Sequence, residues 1–267
     1  MSEFDAATYW EERLGADYSL GGVGYRGLGE PYNRWAYRVR RHVILRRLRA
    51  LALPSGAQVL DVGSGTGFMI ETWREAGADT IDGCDITDIA VDRLRRRFPR
   101  SSFTKLDIGL EPLPEADRYD AVSANDVMFH IVDDAAYARA VANVVAALKP
   151  GGYFVFTDFF RRDATLRGRH WVGRSLHDTV AVMESAGLDV VDRRPVFVLM
   201  NGPAETLGVL RGWWWVLSRA LKVAPWAGGV VGALLYWPEV ALCSAVRAGP
   251  TTELMVCRRP DHRSTPR

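Results

Sequence analysis

The chain has 267 residues, a formal net charge of +2 and a hydrophobic fraction of 48%. This length can bury a sizeable core in one domain with additions, and the balanced charge gives no global argument for binding nucleic acid. The three cysteines, Cys84, Cys243 and Cys257, are widely spaced and indicate neither a zinc site nor a disulfide framework. Because the first residues also lack the layout of a signal peptide, we expect a cytoplasmic protein.

Residues 1–50 are predicted to form a helical N-terminal cap. A short helix from Ala7 to Leu14 precedes a glycine-rich stretch, Tyr18 to Gly29. This stretch could be a flap whose Tyr18, Tyr25 and Arg26 lean over a bound ligand, because closure of a site excludes water. A surface loop with anchoring tyrosines is the alternative.

A longer amphipathic helix is predicted from Tyr32 to Leu53, with apolar residues at helical spacing. Its arginines fall largely on the other faces, where we expect water to solvate them. A basic amphipathic helix can instead lie on an anionic membrane surface, and this alternative stays open.

The central feature is the apolar run Val59 to Val62 followed by glycines at 63, 65 and 67. The pattern predicts a buried strand, a tight turn and a helix from Phe68 to Gly77. A phosphate loop would need lysine near the end of the turn, and a dinucleotide fingerprint would need glycine where Phe68 stands. Triphosphate binding is therefore disfavoured, and an NAD-dependent oxidoreductase becomes the alternative.

The remaining pattern, Asp61-x-Gly63-x-Gly65-x-Gly67, resembles the first motif of class I S-adenosylmethionine-dependent methyltransferases. The resemblance implies that the glycine turn passes under the methionine part of the cofactor. It also implies that an acid ending the second strand binds the ribose hydroxyls, and Asp85 ends the strand-like run Thr80 to Ile86. A helix cap is the alternative role for Asp85.

The next segments extend this resemblance. A helix is predicted from Asp88 to Phe98 and a strand from Ser102 to Leu106, followed by Asp107 and Ile108. In the family an acid at this turn contacts the adenine amino group, and Asp107 has the matching position. A turn residue before Gly109 is the alternative reading of Asp107.

Residues Tyr119 to Ile131 are predicted to form the fourth strand and the loop that leaves it. Ligands of a doubly wound sheet lie outside the carboxyl ends of its strands, so Asn125 to His130 should border the reaction centre. The cofactor-binding residues predicted on these grounds are Asp61, Gly63, Ser64, Gly65, Gly67, Asp85, Ile86, Asp107, Ile108, Asn125, Asp126 and Tyr25.

A helix from Asp133 to Leu148 and the turn Leu148-Lys149-Pro150-Gly151-Gly152 lead into a fifth strand, Tyr153 to Asp158. This turn also recurs in the methyltransferase family, so the resemblance spans Gln58 to Asp158. It implies an α/β fold with a doubly wound, mostly parallel, seven-stranded sheet. Residues 51–200 and 250–259 would form the cofactor-binding domain.

The rest of the chain is less regular. Phe159 to Arg174 is a basic loop that could meet an anionic group of a substrate. A helix from Ser175 to Ala186 and a sixth strand from Leu188 to Leu199 follow. Residues 201–249 form an apolar, aromatic-rich insertion, a last strand spans Thr251 to Cys257, and residues 260–267 form a disordered tail.

The insertion has three open interpretations: a hydrophobic lid, a homodimer contact, or a segment in a membrane interface, where tryptophan is favoured. Its longest uncharged stretch, Val223 to Pro238, is shorter than the roughly 20 residues that span a bilayer. We therefore do not expect a membrane-spanning helix.

Together these features predict an enzyme that uses S-adenosylmethionine to methylate a small, hydrophobic acceptor by in-line displacement. The acceptor could be lipid-like or polyketide-like, and the basic loop suggests a carboxylate or phosphate on it. A hydroxyl acceptor would benefit from a general base, for which His130 is the first candidate and His170 the second. A carbon or nitrogen acceptor needs no strong base, and no metal is required. A non-catalytic module that binds a partner or a membrane is the other alternative, and nucleic acid is disfavoured as a substrate.

Overall fold

The computed structural model describes residues 4–24, 26–113, 115–204 and 208–261. Tyr25, which we predicted to lean over the cofactor, lies outside these residues, as does the tail from residue 262 onward. The helices are α1 Ala6–Ala16, α2 Leu20–Val23, α3 Glu30–Ala50, α4 Phe68–Ala76, α5 Asp88–Arg97, α6 Asp134–Ala147, α7 Leu176–Ser185, α8 Gly208–Val223 and α9 Gly228–Ala245. The strands are β1 Gln58–Val62, β2 Thr80–Asp85, β3 Phe103–Lys105, β4 Tyr119–Asn125, β5 Leu148–Asp158, β6 Leu166–Arg167, β7 Val172–Gly173, β8 Asp189–Pro195 and β9 Glu253–Arg258.

Seven strands form one sheet in the order β3-β2-β1-β4-β5-β9-β8. The first five are parallel, whereas β9 runs antiparallel to both β5 and β8. The strand order reverses between β1 and β4, where Val62 lies opposite Ala124. The predicted doubly wound, mostly parallel fold is therefore confirmed, and its switch point lies at the end of the glycine motif.

The buried side chains group into two cores, one on each side of the sheet. The first includes Ile44 of α3, Trp73 of α4 and Leu94 of α5, and the second includes Tyr137 of α6 and Met183 of α7. The central strands are covered on both faces, which explains why consecutive residues of β1 and β4 are buried instead of every second one.

The N-terminal cap and the insertion pack against each other. Helix α9 lies along α3, and Gly228 and Gly232 make this close approach possible. A Cβ atom at Gly228 would lie 2.8 Å from Cβ of Tyr32, and one at Gly232 would lie 2.5 Å from Cβ of Trp35. Two segments that are far apart in the sequence thus form one helical layer.

The carboxylate of Glu239 fixes this layer to the sheet. It is fully buried and accepts hydrogen bonds from the N–H groups of Val198, Leu199 and Met200, at distances from 2.6 to 3.2 Å. The predicted sixth strand ends at Pro195 instead of Leu199. The N–H groups of Val196 and Phe197 both bond to the Thr252 carbonyl, and those of residues 198–200 bond to the Glu239 side chain, so the regular pairing with β9 stops.

The glycine-rich stretch Tyr18 to Gly29 is more ordered than a loop. Its residues Leu20–Val23 form α2, whose N-terminus is capped by the hydroxyl of Ser19. A short 3-10 helix, Arg26–Leu28, then leads into α3.

Candidate active site

A cavity of about 490 Å³ opens at the carboxyl ends of β1, β2 and β4. This is the switch point of the sheet, where open α/β folds bind ligands, and the volume is in the range of small-molecule sites. Ten of the predicted cofactor residues line it: Asp61, Gly63, Ser64, Gly65, Asp85, Ile86, Asp107, Ile108, Asn125 and Asp126.

The three glycines of the motif have different surroundings, although all have positive φ. A Cβ at Gly63 would lie 2.3 Å from Val127 Cγ2, so this position must stay small for the loop after β4 to pack. A Cβ at Gly65 would have no atom closer than 3.8 Å, so a side chain there would project into free space at the cavity. Gly67 does not line the cavity: a Cβ there would lie 2.6 Å from Phe98 Cε2, so it serves the packing of α4 against α5.

Asp85 ends β2 and is 6% exposed. Its Oδ2 accepts a hydrogen bond from the Gly65 N–H at 2.8 Å, and its Oδ1 accepts from the N–H and hydroxyl of Thr87 at 3.0 and 2.7 Å. Burial raises the pKa of Asp85, and these hydrogen bonds oppose the rise because they favour the ionised form. The cap of α5 is Thr87, so Asp85 is not needed for that role.

Asp61 lies in the floor of the cavity and is buried. Its Oδ1 accepts a 2.7 Å hydrogen bond from Ser123 of β4, whose hydroxyl in turn accepts from the Trp73 indole N–H of α4. Burial raises the pKa of Asp61 to about 7, against the effect of these hydrogen bonds. This chain of polar contacts ties β1, β4 and α4 together below the glycine turn.

Helix α1, part of the predicted N-terminal cap, forms a roof over the cavity, whereas we expected only the glycine-rich flap to cover it. Phe4, Trp10 and Leu14 contribute to the lining, and the Glu11 carboxylate accepts from the N–H groups of Asp88 and Ile89 at the start of α5. The aromatic residues interleaved in the N-terminal segment are the sequence feature that could have predicted this roof. The predicted flap residue Tyr18 does reach the motif, since its hydroxyl donates to the Gly65 carbonyl at 2.7 Å.

A second cavity, of about 820 Å³, adjoins the first. Five residues line both: Trp10, Val23, Tyr37, Asp126 and His130. Six of its other lining residues are phenylalanine, tyrosine or tryptophan: Tyr32, Phe129, Phe159, Trp171, Phe197 and Trp214. A molecule in the second cavity would therefore lie next to a molecule in the first, at a junction bordered by the five shared residues.

His130 lies at this junction, and its ring has a defined tautomer. Its Nδ1 lies 2.7 Å from the His170 carbonyl oxygen, which can only accept, so Nδ1 carries the hydrogen and Nε2 is a free acceptor. Burial lowers the pKa of His130 to about 4, which leaves the ring neutral near pH 7. His170 lines only the second cavity, where its ring stacks on those of Tyr9 and His130.

An ion pair between Arg40 and Asp126 crosses the second cavity's wall. Arg40 is 7% exposed, in contrast to the solvated arginines expected on α3, because its partner lies at the end of β4. Asp126 has a φ of 57° and is held by the Thr157 hydroxyl. No local sequence pattern predicts this pair, since the two residues are 86 positions apart.

The basic loop between β5 and α7 contributes fewer basic side chains to the cavities than we expected. Only Arg161 and His170 of its basic residues line the second cavity. Arg167 and Arg174 both pair with Asp134, and Arg174 is buried with its guanidinium 3.8 Å from the Tyr137 ring centroid. The latter two arginines thus hold the loop against α6.

Comparison with known proteins gives a consistent result. The family described as "Methyltransferase domain" matches residues 32–191, more than half of the chain. A ubiquinone biosynthesis O-methyltransferase of Neisseria meningitidis is 33% identical over 107 residues, which cover 38% of this chain and 44% of the relative. Its counterpart in Bordetella avium is 32% identical over 111 residues, 40% of this chain and 44% of the relative. The match thus spans less than half the length of these relatives.

Solved structures resemble the fold over a longer stretch. A 1,6-didemethyltoxoflavin-N1-methyltransferase of Burkholderia thailandensis, solved with its substrate and S-adenosylhomocysteine, superimposes with a TM-score of 0.56. It is 17% identical, and the match covers 98% of this chain and 93% of that one. A TehB-like S-adenosylmethionine-dependent methyltransferase of Corynebacterium glutamicum gives a TM-score of 0.52 at 18% identity, covering 80% and 86% of the two chains.

Proposed function

This chain belongs to the methyltransferase domain family, as a class I S-adenosylmethionine-dependent enzyme, and we propose that it methylates a hydroxyl group of a small, largely apolar acceptor. The observation that carries this proposal is the position of His130 at the junction of two adjoining cavities, with its Nε2 free to accept a proton.

The first cavity fits the cofactor in shape and in chemistry. Asp85 offers a buried carboxylate whose Oδ2 has an acceptor position left for a ribose hydroxyl, and Asp107 and Ile108 would border the adenine. The free space beside the Cα atom of Gly65 leaves room for the methionine part of the cofactor. When bound, S-adenosylmethionine supplies a methyl group that its sulfonium already activates.

His130 is the proposed general base. A neutral imidazole with a free Nε2 can take the proton of an acceptor hydroxyl as the oxygen gains the methyl group. The His170 carbonyl holds the ring in this tautomer and orientation. His170 itself contributes its backbone and a stacked ring, so we assign it a positioning role and no proton transfer.

The second cavity is the proposed acceptor site. Its aromatic wall suits a flat, apolar molecule, and its charged lining consists of four arginines and one aspartate: Arg13, Arg40, Arg161, Arg211 and Asp126. The buried Nε of Arg40 has no hydrogen-bond partner among the described residues. An acceptor with an anionic group as well as a hydroxyl would satisfy this excess positive charge.

The roof formed by α1 would exclude water from both cavities, which favours methyl transfer to the acceptor over hydrolysis. The name of the N. meningitidis relative, an O-methyltransferase, also supports oxygen as the methylated atom. Carbon and nitrogen acceptors remain the alternatives.

The oxidoreductase and non-catalytic alternatives are not favoured, because the matched family is one of methyltransferases. The three cysteines are free and buried, which fits our proposal of a cytoplasmic location.

Two measurements test this function. Isothermal titration with S-adenosylhomocysteine should show binding, whereas NADH should not bind. The enzyme should then transfer a methyl group to 3,4-dihydroxybenzoate in preference to catechol, detected by mass spectrometry, because the carboxylate meets the arginines. Binding of S-adenosylhomocysteine together with methylation of amines alone would refute the hydroxyl acceptor, and equal use of catechol would refute the anionic subsite.

A further inference from the structure

The surface of α8, α9 and their connection is unusually apolar. Nine of the twelve exposed large hydrophobic residues among those described lie between positions 209 and 237: Val209, Trp213, Trp215, Val216, Val223, Trp226, Val230, Leu234 and Trp237. We call this set the apolar surface. Soluble proteins rarely expose so many large apolar side chains in one region unless that region binds something.

The spacing of the exposed residues on α9 shows that one face of this helix is apolar and exposed. On α9, Val230, Leu234 and Trp237 follow one another at intervals of four and three, so they share one face. The opposite face, with Gly228, Gly232 and Glu239, packs on α3 and on the chain after β8. The helix is therefore already fixed on its inner side and presents apolar residues outward.

The residue types indicate a lipid interface. Four of the nine members are tryptophans, and the indole ring favours the boundary between lipid headgroups and acyl chains. Trp226 lies in the connection between α8 and α9 and is 78% exposed, with Val223 and Val230 on either side of it in sequence. The connection between α8 and α9 thus exposes apolar side chains.

The charged residues around the apolar surface favour binding to an anionic partner. The charged residues of the segment 208–245 are Arg211, Arg219, Lys222 and Glu239, and the acid is buried. The adjacent helix α3 adds the exposed Arg38 and the exposed Arg34, of which Arg34 pairs with Glu30. Such basic residues beside an apolar face are attracted to acidic lipid headgroups.

A second copy of this chain would fit less well, because a two-fold contact would bring these cationic surfaces together. A transmembrane arrangement is also disfavoured. The segment Pro225–Ala245 is long and apolar enough to cross a membrane by length and composition. However, crossing would pull Glu239 away from its three backbone partners and separate α9 from α3.

We propose that the apolar surface binds the face of an anionic lipid bilayer and holds the enzyme there as a peripheral membrane protein. Trp226 and Trp237 enter the interface, while Arg219 and Lys222 contact acidic headgroups. This binding is independent of the identity of the methyl acceptor.

Flotation of the purified full-length protein with vesicles tests the proposal. We expect binding to phosphatidylcholine mixed with phosphatidylglycerol, weaker binding to phosphatidylcholine alone, and a decrease with added salt. The double variant Arg219→Gln/Lys222→Gln should bind the anionic vesicles about 30-fold more weakly. Trp226→Ser/Trp237→Ser should lose on the order of tenfold in affinity for the same vesicles.

Val191→Ser is the matched control, because Val191 is also an exposed apolar residue, at 51%, but lies on the edge strand β8. It should bind vesicles as the unaltered protein does, and all variants should keep their affinity for S-adenosylhomocysteine as a sign of intact folding. Equal binding to neutral vesicles, or no binding to anionic ones, would overturn the proposal. So would a dimer, measured by light scattering, that the Trp226→Ser/Trp237→Ser variant converts to a monomer.

Discussion

The backbone N–H of Gly65 donates a 2.8 Å hydrogen bond to Oδ2 of Asp85. This contact joins the glycine turn after β1 to the end of β2, so the two halves of the proposed cofactor site form one unit. The other carboxylate oxygen is held by Thr87, which fixes the orientation of the group. A cofactor that contacts both halves therefore meets a site whose geometry is set before binding.

Replacement of Asp85 by asparagine should weaken cofactor binding. Asparagine keeps the size of the side chain but loses the charge and one acceptor oxygen, and hydrogen bonds to charged groups contribute about 1.5–3 kcal/mol. We expect S-adenosylhomocysteine to bind on the order of 10- to 100-fold more weakly by isothermal titration. Asp88→Asn is the control, because its exposed carboxylate pairs with Lys105 outside the cavity. Unchanged affinity in Asp85→Asn would contradict the assigned role.

Replacement of His130 by glutamine should lower kcat by about 10²- to 10⁴-fold, since a general base contributes an effect of that size. Affinity for S-adenosylhomocysteine should be retained. Because burial lowers the pKa of His130 to about 4, the unaltered enzyme should show no loss of activity near pH 6.5, where an exposed histidine would titrate. His177→Gln, on the exposed side of α7, should behave as the unaltered enzyme. Full turnover by His130→Gln would remove it as the base.

The sequence predicted those parts of the fold and site that depend on local spacing. The strand, turn and helix around Gly63 and Gly65 follow from the order of apolar residues and glycines, and Asp85 follows from the end of the next strand. Parallel strands bring their carboxyl ends to one edge of the sheet, so Asp107 and Asn125 could be placed at the same cavity without a structure.

The unpredicted parts depend on contacts between distant segments. Burial of Arg40 requires Asp126, and docking of α9 requires the small residues Gly228 and Gly232 to meet α3. No local pattern marks either pairing. Gly67 was assigned to the cofactor because its spacing matches the motif, but the structure places it against Phe98, so periodicity alone could not separate a packing glycine from a lining one.

Replacement of Tyr18 by phenylalanine should loosen the N-terminal roof over the cofactor. The lost hydrogen bond to the Gly65 carbonyl is a single bond, of about 0.5–1.5 kcal/mol, so cofactor affinity should fall about 2- to 10-fold with little change in kcat. Hydrogen exchange of α1 and α2 should become faster in the absence of ligand. Tyr153→Phe, in the middle of β5, is the control for removal of a tyrosine hydroxyl. A change in kcat without a change in affinity would contradict this closing role.

Replacement of Glu239 by glutamine should destabilise the protein. One amide oxygen cannot accept from the three N–H groups of residues 198–200 as well as a carboxylate does, and an unsatisfied buried donor costs about 1–3 kcal/mol. Thermal or urea unfolding should show a loss of this size. Glu184→Gln, an exposed position on α7, should leave the free energy of unfolding unchanged. Equal stability of the two variants would show that Glu239 does not hold the insertion in place.

Replacement of Asp158 by asparagine should change how stability depends on pH. Asp158 is 1% exposed at the end of β5, and its Oδ2 has no hydrogen-bond partner among the described residues. Burial raises its pKa to about 8, so the folded state holds the proton more tightly than the unfolded state, where the pKa is 3.8. The stabilisation from this proton is fully present below pH 4 and is lost as the pH rises through 8.

Asparagine is neutral at every pH, so the variant avoids that loss. The free energy of unfolding of Asp158→Asn, relative to the unaltered protein, should increase between pH 4 and 8 by up to about 1.4 kcal/mol per pH unit. Urea unfolding at pH 6, 7 and 8 measures this slope. Asp163→Asn, an exposed position in the basic loop, should give a curve parallel to that of the unaltered protein. A parallel curve for Asp158→Asn as well would mean that the neighbouring Arg174 keeps the Asp158 carboxylate ionised in the folded state.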